Sequence, residues 1–521
     1  MKVERLETVV AALHKLTLCS RCILRFIDER NSSLYEGEYE AVSRSVCEKY
    51  GIDAEIVSDE KENGESKEDA RDVLDHSCTV CLGILQSHEC ITKQIEDAIE
   101  SSEIEYQSFT FFVSIPLCCL VRQHSIFLYL KEKFSGIYAD KNTVDSLPSI
   151  KEVFKWVCGP ALGISLGVYF QHESSFQVSI HFGHNGNEEL EFLTEFDPAQ
   201  FKERKAKRKD PKPVLFSVTS VRRALEDLDT ADKLRKYTYC PPQPPSYKCH
   251  CTQVSCSHSS ILLAGRYNKY SRRLPQTPWM IDGERKLESS VQVVLVFPKT
   301  LCKLIISIIT DYRFSSGGRE DIDVCMLGTG RPFVVECMNP HKNILSAEFL
   351  SGLQKEINSS TADIAIRDLQ VVTKENYGIL KEAESTKTKT YSCQIWTEKE
   401  ITKEDLLPLN DIKDLTLKQK TPLRVLHRRP VAIREKVVHN MSSEWIDDHH
   451  FRLYLKTMAG TYVKEFVHGD FGRTKPNLGT LMETQTDILE LDVESVDVDW
   501  PPSLDNQCHI DGTSTMSQET C

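Results

Sequence analysis

A dense run of charged residues beside two glycines is the part of this sequence best suited to catalysis. Residues 315–340 read SSGGREDIDVCMLGTGRPFVVECMNP. The paired glycines permit a tight turn, and Arg319, Glu320, Asp321 and Asp323 follow it, next to the apolar stretch FVVEC. A carboxylate in such a place can serve as a nucleophile or as a general base. A solvated turn with a surface ion pair has the same pattern, and spacing alone does not decide between the two.

Two Cys-x-x-Cys pairs form a second group with chemical potential. CSRC supplies Cys19 and Cys22, and CTVC supplies Cys78 and Cys81. Two such pairs can close a tetrahedral zinc site, which is structural because four thiolates leave no open position for water. The gap between the pairs is longer than in compact zinc fingers, so buried free thiols are the alternative. Zinc would tie the N-terminal helix to the segment beyond the acidic residues 53–72.

A further cysteine cluster lies in CHCTQVSCSH. Cys249, Cys251, Cys256 and His258 offer ligands there, with Cys240 upstream. Cys-x-Cys is a less usual zinc spacing and the Pro-rich context favours a loop, so a second metal stays open. The chain holds 19 cysteines. With no secretion signal in view, reduced thiols and metal ligation are the better interpretation than disulfides.

Basic residues are clustered although the formal net charge is −13. An acidic balance argues weakly against nucleic acid, but local charge is what a phosphate backbone experiences. The strongest basic run is KERKAKRKDPKP, residues 202–213, and other segments of the second half mix basic and aromatic residues, as RNA contact requires. The candidate RNA-binding residues are Arg266, Tyr267, Lys269, Tyr270, Arg272, Arg319, Arg424, Arg428, Arg429 and Arg473.

Four segments together resemble one enzyme family. Gly-Arg-x-Asp in a loop before a strand resembles the catalytic loop of pseudouridine synthases. In chain order, AGRYNKYSRRLPQTPW, GREDIDVCMLGTGRPFVVECMNPH, TPLRVLHRRP and AGTYVKEFVHGDFGRTKPNLGTLM resemble signatures of the archaeal and eukaryotic enzymes that modify uridines in the T-arm of tRNA. The resemblance is strong over residues 255–502 and rests mainly on the cysteines before that.

The resemblance implies a fold and a set of roles. The fold class is α+β: a catalytic domain with a large mixed or antiparallel sheet, and an N-terminal α/β accessory domain with a THUMP fold and the zinc-binding Cys-x-x-Cys pairs. Asp321 matches the aspartate on which these enzymes depend, as nucleophile or base. Tyr391 would stack on the uracil, Lys464 would keep Asp321 ionised, and Leu481, or less favourably Leu478, would form the apolar wall of the base pocket. Ordinary packing or surface roles are the alternatives for these three.

The implied reaction isomerises uridine to pseudouridine at one or both of two neighbouring T-arm positions, with structural zinc and no organic cofactor. The alternative function is a non-catalytic RNA-binding scaffold built on the same fold. A methyltransferase or thiolation enzyme would need a Gly-rich nucleotide-binding loop, and neither a P-loop nor GxGxxG is present. The family usually has a basic residue near position 325, where this chain has Cys325.

Composition and pattern divide the chain. We expect a zinc-binding segment with an acidic linker (1–82), an RNA-binding module (83–240), a Cys/Pro-rich connector (241–258), the catalytic domain (259–502) and a disordered tail (503–521). Alternation predicts that strands include SFQVSIHF, VQVVLVF, TYSCQIW, FRLYLKT and DILELDVESVDVDW. We predict helices at the N-terminus of the chain and in two later segments, VTSVRRALEDL and SAEFLSGLQKEIN.

The expected partner is tRNA, with other structured RNA as a further class. No apolar run approaches the roughly 20 residues of a membrane span, so we expect no membrane association. We expect a monomer in a reducing compartment, the nucleus, the cytoplasm or both, since KERKAKRK suits either a nuclear signal or RNA contact.

Overall fold

The computed structural model describes most of the chain. Its described residues are 2–52, 77–86, 88–138, 140–141, 143–184, 186–198, 200–201, 215–228, 230–236, 239–281, 284–296, 311–427 and 429–504. The acidic segment 53–72, the basic run 202–213 and positions 505–521 of the expected tail lie outside them. The chain divides into two compact units, residues 1–258 and 259–521.

The first unit is a helical layer around a small sheet. Strand β1 (Ser108–Ser114) pairs in parallel with β2 (Tyr169–Phe170) and β3 (Phe176–Gly183), and β4 (His250–His258) pairs antiparallel with β3. The α-helices of this unit are Lys2–Lys15, Ser20–Phe26, Tyr39–Tyr50, His88–Ser102, Cys118–Lys133, Ser135–Tyr138, Ile150–Leu166, Phe192–Phe196, Val218–Glu226 and Ala231–Arg235. Short 3₁₀ turns are Ser32–Leu34, Val144–Ser146 and Gly186–Leu190.

Period-two alternation explains β3. Phe176, Val178, Ile180 and Phe182 are all buried, and the residues between them are half-buried. The predicted strand is therefore confirmed, with its apolar face in the core of the unit. The helix predicted from VTSVRRALEDL is also confirmed, since Ser217 caps its first turn by accepting from the amide of Ser220.

The segment 241–258 is only partly a connector. Its last residues form β4, which is hydrogen-bonded along β3 from His250 to His258. The prolines and the Cys-x-Cys spacing suggested a loop, but the β-branched and hydroxyl residues after Cys251 suit an edge strand. The sheet of the first unit therefore continues to the last residue before the second unit.

The second unit is built on one large mixed sheet. It has ten strands in the order β10-β5-β9-β16-β11-β14-β13-β12-β15, with β8 paired to β9 off this path. β16 and β9 are parallel, and the other neighbours are antiparallel. The strands are β5 (Ile261–Lys269), β6 (Met280–Ile281), β7 (Glu284–Arg285), β8 (Asp311–Ser316), β9 (Cys325–Met338), β10 (Ile364–Val372), β11 (Lys389–Thr397), β12 (Lys413–Lys420), β13 (Ile433–Asp447), β14 (His450–Thr457), β15 (Thr474–Lys475) and β16 (Thr486–Val496).

Helices cover and connect this sheet. The α-helices are Val291–Val296, Ala347–Ser360, Lys374–Thr386, Lys403–Asn410, Val463–His468 and Leu478–Met482, with 3₁₀ turns at Leu423–Val425 and Gly469–Gly472. The strands predicted from TYSCQIW, FRLYLKT and DILELDVESVDVDW and the helix predicted from SAEFLSGLQKEIN are confirmed. Among the described residues, no helix combines the length and the apolar character needed to cross a bilayer.

The strand predicted from VQVVLVF is wrong, because Val291–Val296 is helical. Ser290 starts this helix: its hydroxyl accepts from the amide of Val293, and its carbonyl accepts from the amide of Val294. A short apolar run carries no period that separates a buried strand from a buried helix, so the local cap decides.

We expect fragments that begin at residue 241 and at residue 259 to differ in protease resistance. The longer fragment carries β4 without its partner β3, so the amides and carbonyls of residues 250–258 are unpaired. Limited thermolysin digestion followed by mass spectrometry should trim the longer fragment back to about residue 258. Equal protection of residues 250–258 in the fragment and in the full chain would contradict this assignment of β4.

Candidate active site

Asp321 lies on the loop that joins the antiparallel strands β8 and β9. The two glycines at the start of this loop are required by space. A Cβ at Gly317 would lie 2.9 Å from Cγ of Pro332, and one at Gly318 would lie 2.8 Å from Nη1 of Arg331. Gly318 also has φ +106°, which side chains disfavour. The glycine pair thus sets the path of the chain into the acidic residues.

A buried ion pair lies beneath the loop. Glu320 and Arg331 are both essentially unexposed, and Arg331 Nε donates to Glu320 Oε2 at 2.8 Å. Arg331 Nη1 also donates to the carbonyl of Gly317 at 3.0 Å. Burial alone would lower the pKa of Arg331, but the attraction of Glu320 together with the neighbouring tyrosines and the hydrogen bond to Glu320 raises it above its ordinary value. One guanidinium therefore binds both ends of the turn that leads to Asp321.

Two neutral side chains complete this network. The hydroxyl of Tyr267 donates to Glu320 at 2.8 Å, and Nε2 of Gln276 donates to that hydroxyl at 2.7 Å. The Gln276 amide also donates to the carbonyl of Gly318 at 3.0 Å. Burial raises the pKa of Tyr267 well above its ordinary value, so the phenol remains a donor. Glu320 and Arg331 are thus hydrogen-bonded to each other and to neighbouring groups of the same network, which fixes their orientation.

Lys269 fixes the backbone of the loop itself. Its side chain is fully buried, and Nζ donates to the carbonyls of Leu274, Asp321 and Ile322 at 3.0, 3.2 and 2.8 Å. Burial lowers the pKa of Lys269, against the attraction of Glu320. The interpretation of Tyr267 and Lys269 as RNA-contacting residues is wrong: both face inward and hold the loop.

Arg266 is also misassigned by the sequence. It is buried, and its guanidinium donates to the carbonyls of Thr329, Val498 and Trp500, at 2.8, 2.9 and 2.9 Å. Burial lowers the pKa of Arg266 to about 10. Because its donors are used by backbone oxygens, Arg266 joins β9 to residues 498–500.

Arg272 is a structural residue as well. It makes a two-pronged contact with Asp492 on β16, at 2.7 and 3.0 Å, and donates to the carbonyl of Asp323 at 3.1 Å. The bond to Asp492 outweighs burial and raises the pKa of Arg272. Asp492 also accepts from the amide of Cys325. Arg272 therefore anchors the far end of the Asp321 loop, close to the position where a basic residue was expected.

Two cations face the carboxylate of Asp321. Arg424 Nη1 donates to Asp321 Oδ2 at 2.8 Å, and Lys464 Nζ lies 3.9 Å from the same oxygen. Lys464 makes its shorter contact, 2.7 Å, with Asp323. Arg424 was expected to hold RNA, but the structure places its guanidinium at the carboxylate. About a third of the Asp321 side chain stays exposed, so a substrate can still reach it.

Glu465 is a residue that sequence reasoning missed. Its side chain is only 2% exposed, and its Oε1 accepts from Arg424 Nε at 2.7 Å. Its other oxygen, Oε2, has no hydrogen-bond partner among the described residues. The available signal was a carboxylate inside the apolar helix YVKEFV, where a buried charge needs a cationic partner.

Electrostatics around the site favour ionised groups. Burial by itself raises the pKa of Asp323, but the Lys464 ammonium outweighs it and holds that pKa below its ordinary value. The pKa of Arg424 is lowered by burial and raised more strongly by Glu465, so it lies above its ordinary value. Asp323 and Arg424 therefore carry full charges at neutral pH.

Tyr391 and Leu481 lie in elements of the same unit. Tyr391 is on β11, the central strand beside β16, and burial raises its pKa to about 12. Leu481 is half-buried against the core in the helix Leu478–Met482, whereas Leu478 is fully buried. Leu481 therefore retains the surface that a pocket wall needs. Their predicted contacts with a base stay predictions.

The remaining predicted RNA-binding residues are more open. Tyr270 is 51% exposed, and Arg319 and Arg429 are exposed. Arg473 donates to the carbonyl of Thr421 at 2.6 Å and lies 3.4 Å from Asp470. Arg428 lies outside the described residues.

The four predicted metal ligands do converge. Cys19, Cys22, Cys78 and Cys81 are buried, with sulfurs within 4.8 Å of one another, and Cys19 Sγ lies 3.7 Å from Cys81 Sγ. Tetrahedral zinc with bonds of about 2.3 Å requires sulfurs roughly 3.8 Å apart, so the donor set fits. Burial raises the pKa of the Cys19 and Cys81 thiols well above the ordinary value, a penalty that a bound cation would remove.

The second cysteine cluster does not converge. Among the described residues, the four cysteines above are the group whose ligand atoms meet. Cys251, Cys256 and His258 lie on β4, and an extended strand advances about 3.3 Å per residue, which separates its ends. The cluster is a strand, not a metal site.

Comparisons with known proteins agree across both units. The family described as "Pus10, C-terminal" matches residues 262–497, and "Eukaryotic Pus10, N-terminal" matches residues 78–256. The tRNA pseudouridine synthase Pus10 of Homo sapiens is 48% identical over 432 residues, which cover 82% of this chain and 80% of the human protein. The Xenopus laevis protein of the same name is 42% identical over 526 residues, 96% of this chain and 99% of its own.

An archaeal relative and a solved structure match less of the chain. The tRNA pseudouridine synthase Pus10 of Thermofilum pendens is 37% identical over 240 residues, 46% of this chain and 52% of its own. The structure of a Cbf5-Nop10-Gar1 complex overlaps 44% of this chain and 47% of the matched chain, at 14% identity and a TM-score of 0.24.

We expect Glu320→Gln to destabilise the second unit by about 3–5 kcal/mol, because it leaves the buried Arg331 charge without its partner. Glu435→Gln is the matched control. Glu435 faces Lys418 at 4.0 Å with both side chains more than two-thirds exposed, so its loss should change stability by less than about 1 kcal/mol. Chemical denaturation with a probe of the second unit measures both. Equal effects would show that the buried pair does not support the loop.

Proposed function

The chain belongs to the Pus10 family of tRNA pseudouridine synthases, and we propose that it isomerises uridine in the T-arm of tRNA, at one or both of two neighbouring positions. The single observation that carries this is the geometry of Asp321. It is a partly exposed carboxylate on a rigidly held glycine loop, with cations at 2.8 and 3.9 Å. Such a group is fixed in position and reachable, as a nucleophile or base must be.

The reaction breaks the N-glycosidic bond, turns the detached uracil and joins its C5 to the ribose. Asp321 would attack the nucleotide or remove a proton from its sugar. No electrons or groups are exchanged with a second substrate, so protein side chains supply all the chemistry and no organic cofactor is required. Arg424 and Lys464 would keep Asp321 ionised before attack, since nearby cations favour the charged carboxylate.

The base would lie between Tyr391 and Leu481. Stacking on Tyr391 is compatible with its raised pKa, because a neutral phenol adds no charge next to Asp321. Leu481 would supply an apolar wall from the neighbouring helix. We propose both as supports for the flipped uracil, which must recover the few kcal/mol lost on leaving its stack.

Asp321→Asn should abolish pseudouridine formation, by about 10²-fold or more, because it removes the charge and the nucleophile and leaves the shape. Single-turnover assays on tRNA transcripts measure the loss, and melting curves check that folding is intact. Asp411→Asn, at an exposed helix end, is the matched control and should keep full activity. Tenfold or smaller loss in Asp321→Asn would remove Asp321 from the reaction, whereas native protein without activity on tRNA would favour the non-catalytic scaffold.

We further propose that the four N-terminal cysteines bind one structural zinc ion. The ligand set is closed, so the metal would stabilise the first unit and take no part in catalysis. It would join the helix Ser20–Phe26 to the turns at residues 78–82.

Metal analysis of purified protein should find about one zinc per chain, and Cys78→Ser should lose it and destabilise the first unit, because metal binding in such sites is folding free energy. Cys47→Ser is the control, since this half-exposed cysteine lies outside the cluster. Zinc content unaffected by Cys78→Ser, or absent from the native protein, would exclude the site.

The first unit is proposed as an RNA-holding module with a THUMP fold. It would grip a part of the tRNA distant from the modified uridine, with help from the basic run 202–213. Other structured RNAs are a further proposed class of substrate. The same run would direct the protein to the nucleus, the cytoplasm or both.

A further inference from the structure

Four consecutive residues near the active site have left-handed backbone conformations. The φ values of Gly469, Asp470, Phe471 and Gly472 are 75°, 47°, 55° and 81°. Two of these residues are not glycine, and one is a bulky aromatic, for which this conformation is a genuine outlier. Strain of this kind persists only when the surroundings enforce it, and it gathers at functional sites.

The surroundings do enforce this turn. Asp470 is buried; its amide donates to His468 Nδ1 at 3.1 Å, and its Oδ2 accepts from the amide of Leu423 at 3.3 Å. Packing restricts Gly469 as well, because a Cβ there would lie 2.6 Å from Nδ2 of Asn477. The turn is therefore fixed rather than loose.

The turn is coupled to the catalytic carboxylate. Leu423, which Asp470 holds, immediately precedes Arg424, and the Arg424 guanidinium lies 2.8 Å from Asp321. Arg473, just after the turn, donates to the carbonyl of Thr421 on the same segment. The turn and the segment 421–425 thus form one hydrogen-bonded unit at the edge of the site.

Phe471 gains no packing from this arrangement. Its side chain is 95% exposed, the largest exposure among the large apolar residues that the structure describes. A strained backbone that buried the ring would be a structural device. A strained backbone that holds the ring out in solvent calls for a binding partner from outside the chain.

Lysines lie on the two strands that follow or pair beside the turn. Lys475, which follows the turn on β15, is paired with Lys418 on β12, and Lys420 lies next to them; all three are exposed. Lysines on a short edge strand also discourage strand pairing between molecules, but that role does not require an exposed phenylalanine. An aromatic face among lysines suits a nucleobase with its phosphates.

We propose that Phe471 stacks on an unstacked base of the substrate tRNA beside the target uridine and holds the opened conformation. This rests on the proposed function, and it adds a positioning residue outside the chemistry at Asp321. Flipping a uridine breaks its stacking, and stacking on a pre-positioned ring compensates a neighbouring base for that loss. Because the backbone that carries the ring is already held in place, little backbone ordering is needed when RNA binds.

Substitutions at Phe471 in the full-length protein separate this role from a structural one. Phe471→Ala should lower kcat/KM for a tRNA transcript by about 5- to 100-fold, the range for one lost base–aromatic stack, whereas Phe471→Trp should stay within about twofold. Phe471→Gly should lower kcat/KM by as much as Phe471→Ala. It should nevertheless melt at a higher temperature than the native protein, because glycine adopts the left-handed conformation without strain. A structural role predicts the opposite coupling, with activity and stability falling together.

Leu407→Ala, at another exposed apolar side chain on the helix Lys403–Asn410, is the matched control and should change nothing. Transcripts with 2-aminopurine next to the target uridine give a direct readout: native protein should quench its fluorescence on binding, and Phe471→Ala should not. The proposal would be overturned if Phe471→Ala and Phe471→Gly both kept kcat/KM within twofold of the native value. The same result is expected if the ring binds a protein partner instead of RNA. Native protein without activity on tRNA would instead overturn the proposed function.

Discussion

The buried pair of Glu320 and Arg331 is the interaction on which the loop that carries Asp321 depends. Charges without water are costly unless every donor and acceptor is met, and here the partners are the loop itself. Arg331 holds Gly317, Glu320 holds Tyr267, and Gln276 closes the network onto Gly318. Apolar packing has no direction and could not fix a carboxylate to a fraction of an ångström. The ionic network supplies that direction, and Lys269 extends it to the carbonyl of Asp321.

The charges at the centre of the site do not by themselves attract RNA. Arg424 and Lys464 face three carboxylates, those of Asp321, Asp323 and Glu465. The two cations are therefore committed to neighbours and leave an acidic remainder, in keeping with the net charge of −13. Phosphate affinity must come from cations at a distance from the chemistry, such as the lysines of β12 and β15. In the proposed function, this separation would let the site keep its carboxylates close together while the periphery holds the polyanion.

Sequence patterns predicted the large sheet, which the structure confirms, and a carboxylate in a glycine loop, but not which way the basic residues face. The alternation in β3 and β14 is visible because each has one buried face. β5 is different: from Leu262 to Lys269 every residue is buried, between β9 and β10. In such a strand Arg266 and Lys269 cannot reach solvent, and carbonyl oxygens become their partners. Composition shows that cations are present, but only the sheet order shows that this strand is internal. The strand prediction for VQVVLVF was wrong for a related reason, because the segment is too short to show whether its apolar residues follow the period of a strand or of a helix.

For the four N-terminal cysteines, residue type alone was enough to predict that they lie together. Four thiols with zinc-ligand spacing predict a tetrahedral cluster, and the structure shows the four sulfurs close to one another. A thiolate cluster requires convergence whatever lies between the pairs, so the long gap did not matter. The second cysteine cluster also consists of residue types that can bind metal. Its backbone conformation, however, is determined by strand propensity and by pairing with β3. Residue type therefore predicted the convergence of the first cysteine cluster. It was misleading for the second, where backbone hydrogen bonds between strands decide the structure.

The two contacts of Arg424 are unequal, and the inequality bears on how the site works. Its bond to Glu465 is buried on the carboxylate side, whereas its bond to Asp321 joins two side chains that are each more than a third exposed. Exposed pairs contribute about 0–1 kcal/mol, and separating a buried charge from its partner costs several. If a nucleotide enters as proposed, we expect the bond between Arg424 and Asp321 to break first, while Arg424 stays bound to Glu465. In the proposed reaction, Asp321 would therefore exchange its partner for substrate at little cost, and the positive charge of Arg424 would still lie beside it when the glycosidic bond breaks.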